Sequence, residues 1–181
     1  MIRPLPTVST TACESLEVIL GRSQKLQSIQ FDGLYWAFGE EVSAHTWIKQ
    51  NLHKVRENSQ SGILVTITDY DKKIVTQYSE SDKTGFFYSQ PDLGPTLFGE
   101  TLDILEHNPK IVGYETIGNM PCIIIEYAED DGAGWVVTIK LWIWTIYGLP
   151  IKYEGTLNNQ MFIIVNVDNI SFNNVTVTSP Q

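Results

Sequence analysis

Basic residues are scarce in this 181-residue chain and nearly absent from its second half. Lysine and arginine number 12 against 21 aspartates and glutamates, a net charge of −9. Beyond Thr84 the only lysines are Lys110, Lys140 and Lys152, with no arginine, against eleven carboxylates. A surface of this sign repels a phosphate backbone, which sets nucleic-acid binding aside, and it disfavours anionic lipid head groups. Long apolar runs are missing too. None approaches the ~20 residues that a membrane-spanning helix needs, and "MIRPLPTVSTTACESL" carries no apolar stretch of the signal-peptide kind. Cysteine is limited to Cys13 and Cys122. One bridge could join them, but two distant cysteines do not make a disulfide scaffold. Cys13 has no hydrophobic run upstream of it, so it reads as a plain helix cysteine rather than a lipidation site.

Chemistry-bearing constellations are equally thin. His45, His53 and His107 lack metal-ligand spacing with one another or with a cysteine. The acidic "EDDG" at 129–132 lacks the rest of a calcium loop and reads as a hairpin tip. Cys122 is flanked by "MP" and "III", which suits a buried thiol rather than a nucleophile. Glu115 and Glu126 sit on neighbouring strands without the marks of an acid–base pair. No phosphate loop or Ser-His-Asp arrangement stands out. The expectation is a non-enzymatic chain with no cofactor and no metal, acting as a monomer.

Aromatics are what the chain has in plenty, with five Trp, eight Tyr and seven Phe. Residues 1–10 form a Pro/Thr/Ser tail. "TACE" (11–14) fits a capping box, and Ala12, Leu16, Ile19 and Leu20 predict an amphipathic helix over 12–26. From Ser28 the apolar period shortens to two. Strands are expected at 29–38, 45–57, 62–70, 73–79 and 84–89, the second with an imperfect register that suits a bulge or an edge. "FGEEVS" supplies turn residues before it. Residues 90–109 break the pattern and predict a helical cover of about three turns, carrying Leu97, Phe98, Thr101, Leu102 and Leu105 and ending at Pro109. Strands resume at 111–117, 120–128, 134–145, 149–155, 160–168 and 170–175. Short links favour antiparallel neighbours. One domain over 11–176, with a C-terminal tail at 177–181, accounts for the chain.

These strands are apolar on both faces. In "TIKLWIWT", Ile139, Leu141 and Ile143 oppose Lys140, Trp142 and Trp144; in "GLYWAF", Leu34, Trp36 and Phe38 oppose Tyr35 and Ala37. An antiparallel sheet with one wet face alternates apolar with polar instead. About eleven strands twist and curl, and a curl that fails to close leaves an apolar trough. Two helices are too few to cover both faces but can partly fill that trough. The remainder is a hydrophobic pocket. The expected fold class is therefore α+β: a curved, incomplete antiparallel β-barrel with helices in or over its concave face.

"VGYETIGNMPCIIIEY" (112–127), a Lys-x-Trp-Ile strand and "YGLPIKYEG" (147–155) resemble the lipoprotein-carrier (LolA-like) superfamily. "TWIKQNLHKVRE" (46–57), "DYDKKIVTQYSESDKTGFFY" (69–88) and "VDNISFN" (167–173) are similar to further strands of that family, in order, over about residues 12–175. The resemblance implies a half-barrel with helices lining its mouth, a carrier or sensor of acyl chains outside the cytoplasm, and an arginine tying the sheet to the helical lid, for which Arg56 is the candidate; read from the residues alone, Arg56 is equally a surface cation beside Glu57. This chain departs from the family in its short, Gly-interrupted lid and in stopping soon after "VTVTSP".

The candidate trough and lid residues are Leu34, Trp36, Phe38, Trp47, Val65, Ile67, Phe98, Leu102, Leu105, Ile139, Leu141 and Ile143. The ligand expected is a lipid or the acyl chain of a lipoprotein, with an envelope protein as a further partner, and a pocket of this kind would discriminate head groups poorly. The alternative is a protein-interaction module, in which the helices fill the trough and Trp142 and Trp144 form an outward aromatic patch beside Lys140. A one-residue slip of register exchanges the two faces.

Overall fold

The computed structural model describes residues 14–37, 40–91, 101–130, 135–158 and 160–172. Among them, eleven strands form one antiparallel sheet: β1 (Ser28–Ala37), β2 (Glu40–Lys49), β3 (Leu52–Ser59), β4 (Gly62–Asp69), β5 (Ile74–Ser79), β6 (Thr84–Ser89), β7 (Lys110–Ile117), β8 (Met120–Asp130), β9 (Val136–Trp144), β10 (Leu149–Leu157) and β11 (Gln160–Phe172). The order across the sheet is β6-β5-β4-β3-β2-β1-β11-β10-β9-β8-β7. Two meanders, β1–β6 and β7–β11, are thus zipped together by β1 against β11. Among the described residues β6 and β7 remain as unpaired edges, so the barrel is incomplete. Register shifts at Gln30/Asp32, Ile111/Gly113, Pro150/Lys152 and Gly155/Thr156 bend the strands between β1 and β7, since each bulge adds local twist.

The strand count agrees with the sequence expectation through two offsetting differences. Residues 45–57 are not one irregular strand. They belong to the hairpin β2–β3, which turns at Gln50 with φ 50°, and Glu40–Ser43 are strand rather than turn. Conversely, 160–168 and 170–175 are not separate strands, because β11 runs on through Asn169, a left-handed residue with φ 52°. The N-terminal helix is shorter than predicted. Its described part, α1, spans Leu16–Leu20, and its cap is Ser15, whose hydroxyl accepts from the Val18 N–H at 3.3 Å. Glu14 pairs with Arg22 at 2.6 Å; Thr11, the expected partner of Glu14 in a capping box, and Cys13 lie outside the described residues. A 3₁₀ turn follows at Ser23–Lys25. Of the predicted cover, Thr101–Asp103 are helical and Ile104–His107 form a 3₁₀ turn, ended by left-handed Asn108. Its first part falls outside the described residues.

Both helical segments lie on one face of the sheet, called inner here. Ile19 and Leu20 of α1 are buried with Ile123, Ile125, Ile139, Leu141 and Ile143, and Leu16, Leu102, Ile104 and Leu105 pack against that cluster. Burying each such side chain contributes roughly 1.5–3 kcal/mol. That contribution, more than helix propensity, holds a five-residue helix in place.

Candidate functional site: an apolar cavity on the inner face

Directly opposed residues of antiparallel strands share a face, so the pairing register fixes which side chains face the helices. One cross-strand row runs Tyr35–Val165–Tyr153–Leu141–Ile125, through β1, β11, β10, β9 and β8. Leu141 and Ile125 belong to the helix-covered cluster, so the whole row is inner. On β1 this makes Ile29, Phe31, Gly33 and Tyr35 inner, and Leu34 and Trp36 outer.

A cavity of about 460 Å³ opens on that face. Ile29, Phe31 and Tyr35 of β1 and Ile163, Val165, Val167 and Ile170 of β11 line it. So do Leu149, Ile151 and Tyr153 of β10, Leu141, Tyr127, and Thr101 and Ile104 of the cover. This size lies in the range of small-molecule sites. Among the described lining residues the one of a charged type is Lys152. Its ammonium sits 4.1 Å from the Trp142 ring centre and 2.7 Å from Glu154, both outer-face residues. The polar groups that remain are phenols and the Thr101 hydroxyl. Burial raises the pKa of Tyr127 to about 12, with Glu129 and Tyr153 adding to it. Burial, then Glu129, raises that of Tyr153. Burial also raises Tyr35, whose ring lies over Gly33, where a Cβ would meet it at 2.9 Å. Like any phenol below about pH 10, all three are neutral groups that can donate a hydrogen bond.

Two contacts seat α1 against the sheet. Gly148, in the β9–β10 turn, has φ 68°, and its N–H donates to the Trp144 carbonyl at 2.8 Å. A Cβ there would lie 2.2 Å from the Ile19 carbonyl oxygen and 2.9 Å from that of Leu20. The glycine of "YGLP" therefore lets the helix end rest on the turn. Arg22 donates Nη1 to the Thr145 carbonyl and Nη2 to Glu14.

The residues singled out from the sequence divide between the faces. Leu102, Leu105, Ile139, Leu141 and Ile143 are in the inner cluster, Leu141 bordering the cavity. Leu34 (42% exposed) and Trp36 (39% exposed) are on the outer face. So are Trp47, Val65 and Ile67, by the rows Trp47–Lys54–Ile67 and Arg56–Val65; Trp47 stacks with His45 and Lys54. Phe38 and Phe98 lie outside the described residues. Arg56 is outer as well, bound through Nε and Nη2 to Glu80 at 3.1 and 2.8 Å, on the face opposite the described part of the cover. Among the described residues, Arg22 ties the end of α1 to the sheet. The cavity's own side chains on β10, β11 and β1 were missed, although Tyr153 and Val165 follow once Leu141 is known to be inner and the β9–β10–β11 register is set.

The outward Trp142 is 4% exposed. Lys140 and Lys152 cover its ring at 4.9 and 4.1 Å, and its indole N–H donates to Glu115 at 2.6 Å. Among the described residues the exposed aromatics are Trp36, Tyr114 and Trp135 and, on edge strand β6, Phe86, Phe87 and Tyr88. Cys122 is buried and its thiol pKa is raised, chiefly by that burial. No cluster of three or more potential metal ligands occurs among the described residues.

No protein-family model matches the chain, and no curated protein sequence matches it significantly. Solved structures do. An uncharacterized conserved protein from Thermus thermophilus is similar with TM-score 0.67 at 15% identity, over 90% of each chain. The Mycobacterium tuberculosis lipoprotein LppX is similar with TM-score 0.56 at 13% identity, over 91% of this chain and 98% of that one. A structure of the Pseudomonas aeruginosa MucA/MucB complex is similar with TM-score 0.58 at 11% identity, over 90% of this chain, which spans 58% of that one. The likeness is one of fold: the open antiparallel half-barrel with helical segments on its inner face that the resemblance to the lipoprotein-carrier superfamily implied.

Proposed function

We propose that this protein binds a hydrophobic ligand, a lipid or the acyl chain of a lipoprotein, in the inner cavity, and that it works without catalysis as a carrier or sensor in the cell envelope. The observation that carries this reading is the cavity itself, an apolar space of about 460 Å³ bounded by the sheet and by Thr101 and Ile104 of the cover. An acyl chain entering it gains about 0.8 kcal/mol per buried methylene, less the cost of ordering the chain and moving the cover. The fold likeness to the lipoprotein LppX supports the same reading. No helix among the described residues is long and apolar enough to cross a membrane.

The test is native mass spectrometry of protein purified from cells, followed by thermal melting of delipidated protein with and without palmitoyl lipids. The expected result is a co-purifying lipid and a melting temperature raised by several degrees on adding lipid back. A lipid-free protein that no acyl compound stabilises would reject the reading. A protein-interaction role has one specific observation in its favour, the exposed Phe86, Phe87 and Tyr88 on the edge strand β6, where a partner could add a strand. That outcome would leave acyl compounds without effect.

A further inference from the structure

An apolar lining alone would accept an acyl chain with any head group. The cavity, however, has two unlike ends. Leu149, at the start of β10, and Ile170, beyond the middle of β11, make one end wholly apolar. Tyr153 lies four residues further along β10, and Tyr127 one cross-strand row beyond it, opposite Ile139. Glu129 follows Tyr127 on the same face of β8 and raises the pKa of both phenols.

We propose that the cavity holds its ligand in one direction and selects an uncharged acyl ester or amide, with the chain toward Leu149 and Ile170 and the carbonyl received by Tyr127 and Tyr153. This rests on the lipid-binding reading above and adds a head-group preference to it. A neutral phenol O–H is a donor, and an ester or amide carbonyl is an acceptor that crosses into an apolar site at modest cost. A free carboxylate or a phosphate would have to give up water to reach the half-buried phenols, and the Glu129 carboxylate nearby would repel it. It would meet no ammonium there, because Lys152 is turned outward onto Trp142 and Glu154. An ion buried without a partner is strongly disfavoured. The imidazole of His107 stacks on the Tyr127 ring at 5.0 Å and serves as a control.

The experiment is displacement of a fluorescent acyl probe from the delipidated full chain by glyceryl monopalmitate, palmitate and palmitoyl lysophosphatidate. The expected result is that the glyceryl ester competes at a concentration lower by about tenfold or more. Tyr127→Phe with Tyr153→Phe should narrow the gap to about threefold while the probe still binds. Glu129→Gln, at an exposed position on β8, should improve palmitate about two- to threefold. Equal competition by palmitate and the ester in the wild-type chain would overturn the preference and leave lipid binding standing. Loss of the preference in His107→Gln would assign it to the imidazole and likewise overturn the proposal. Failure of the probe and all three lipids to bind would reject both readings.

Discussion

The α-carbon of Gly148 faces the carbonyl oxygen of Ile19 so closely that a Cβ would stand 2.2 Å from it. The end of α1 therefore rests directly on the β9–β10 turn, in a conformation that also needs positive φ. Gly148→Ala combines left-handed strain with that collision, each costing about 1–3 kcal/mol. Urea unfolding should show a loss of at least about 2 kcal/mol. A wild-type midpoint would mean that α1 does not sit there.

Two arginines should behave differently. Arg22 joins α1 to the Thr145 carbonyl, and hydrogen bonds from charged donors are worth about 1.5–3 kcal/mol. Arg22→Met should destabilise by about 1–2 kcal/mol. Arg56 and Glu80 are partly exposed and on the other face, where such pairs contribute less than about 1 kcal/mol. Arg56→Met should melt near wild type and take up acyl probe unchanged. If Arg56→Met loosened ligand binding instead, that would support the lid-locking role that the resemblance implies.

Filling the cavity should separate the faces. Val165→Trp inserts bulk opposite Tyr35 and Tyr153, and it should weaken acyl-probe binding about tenfold or more. Leu102→Asp, in the cover against the inner cluster, should also weaken uptake. Trp36→Ala removes an outer side chain and should leave probe affinity within about twofold. A probe titration of the three variants, each checked by melting, would contradict the face assignment if Trp36→Ala proved the damaging change.

The half-barrel was legible because eleven short β-rich segments and short polar links admit few other arrangements. The exact segments were less so. Gln50-Asn51 is as polar as the strand residues around it, so a hairpin read as one strand. Asp168-Asn169 carries turn chemistry but sits in a strand that continues past a left-handed residue. The site suffered most, for a physical reason: β1 places Phe31 and Tyr35 on one face and Leu34 and Trp36 on the other, so hydrophobicity alone does not say which faces the helices. Trp142 adds to this, being outward yet buried under lysine stems and held by Glu115. Only the register, carried across four strand pairs from Ile125 to Tyr35, resolves it.

The phenols of the cavity give an alkaline signature. The folded pKa of Tyr127, about 12, lies above its ordinary value of 10.0 because burial disfavours the phenolate. Between those values the unfolded chain releases a proton that the folded one keeps, so stability is unaffected below about pH 10 and falls as pH rises toward about 12. Melting across about pH 8–12 should show this decline, and Tyr127→Phe should flatten it. An unchanged slope in Tyr127→Phe would mean that the phenol is not desolvated.

The most direct test of the central claim, that the inner face holds the acyl chain, is photo-crosslinking with a palmitoyl glyceride carrying a diazirine in its chain, with the modified residues mapped by mass spectrometry. The account predicts adducts on β9–β11 and β1, at residues such as Leu141, Tyr153, Val165 and Phe31. Adducts on Leu34, Trp36 and Trp47, or on the β6 edge at Phe86 to Tyr88, would contradict it.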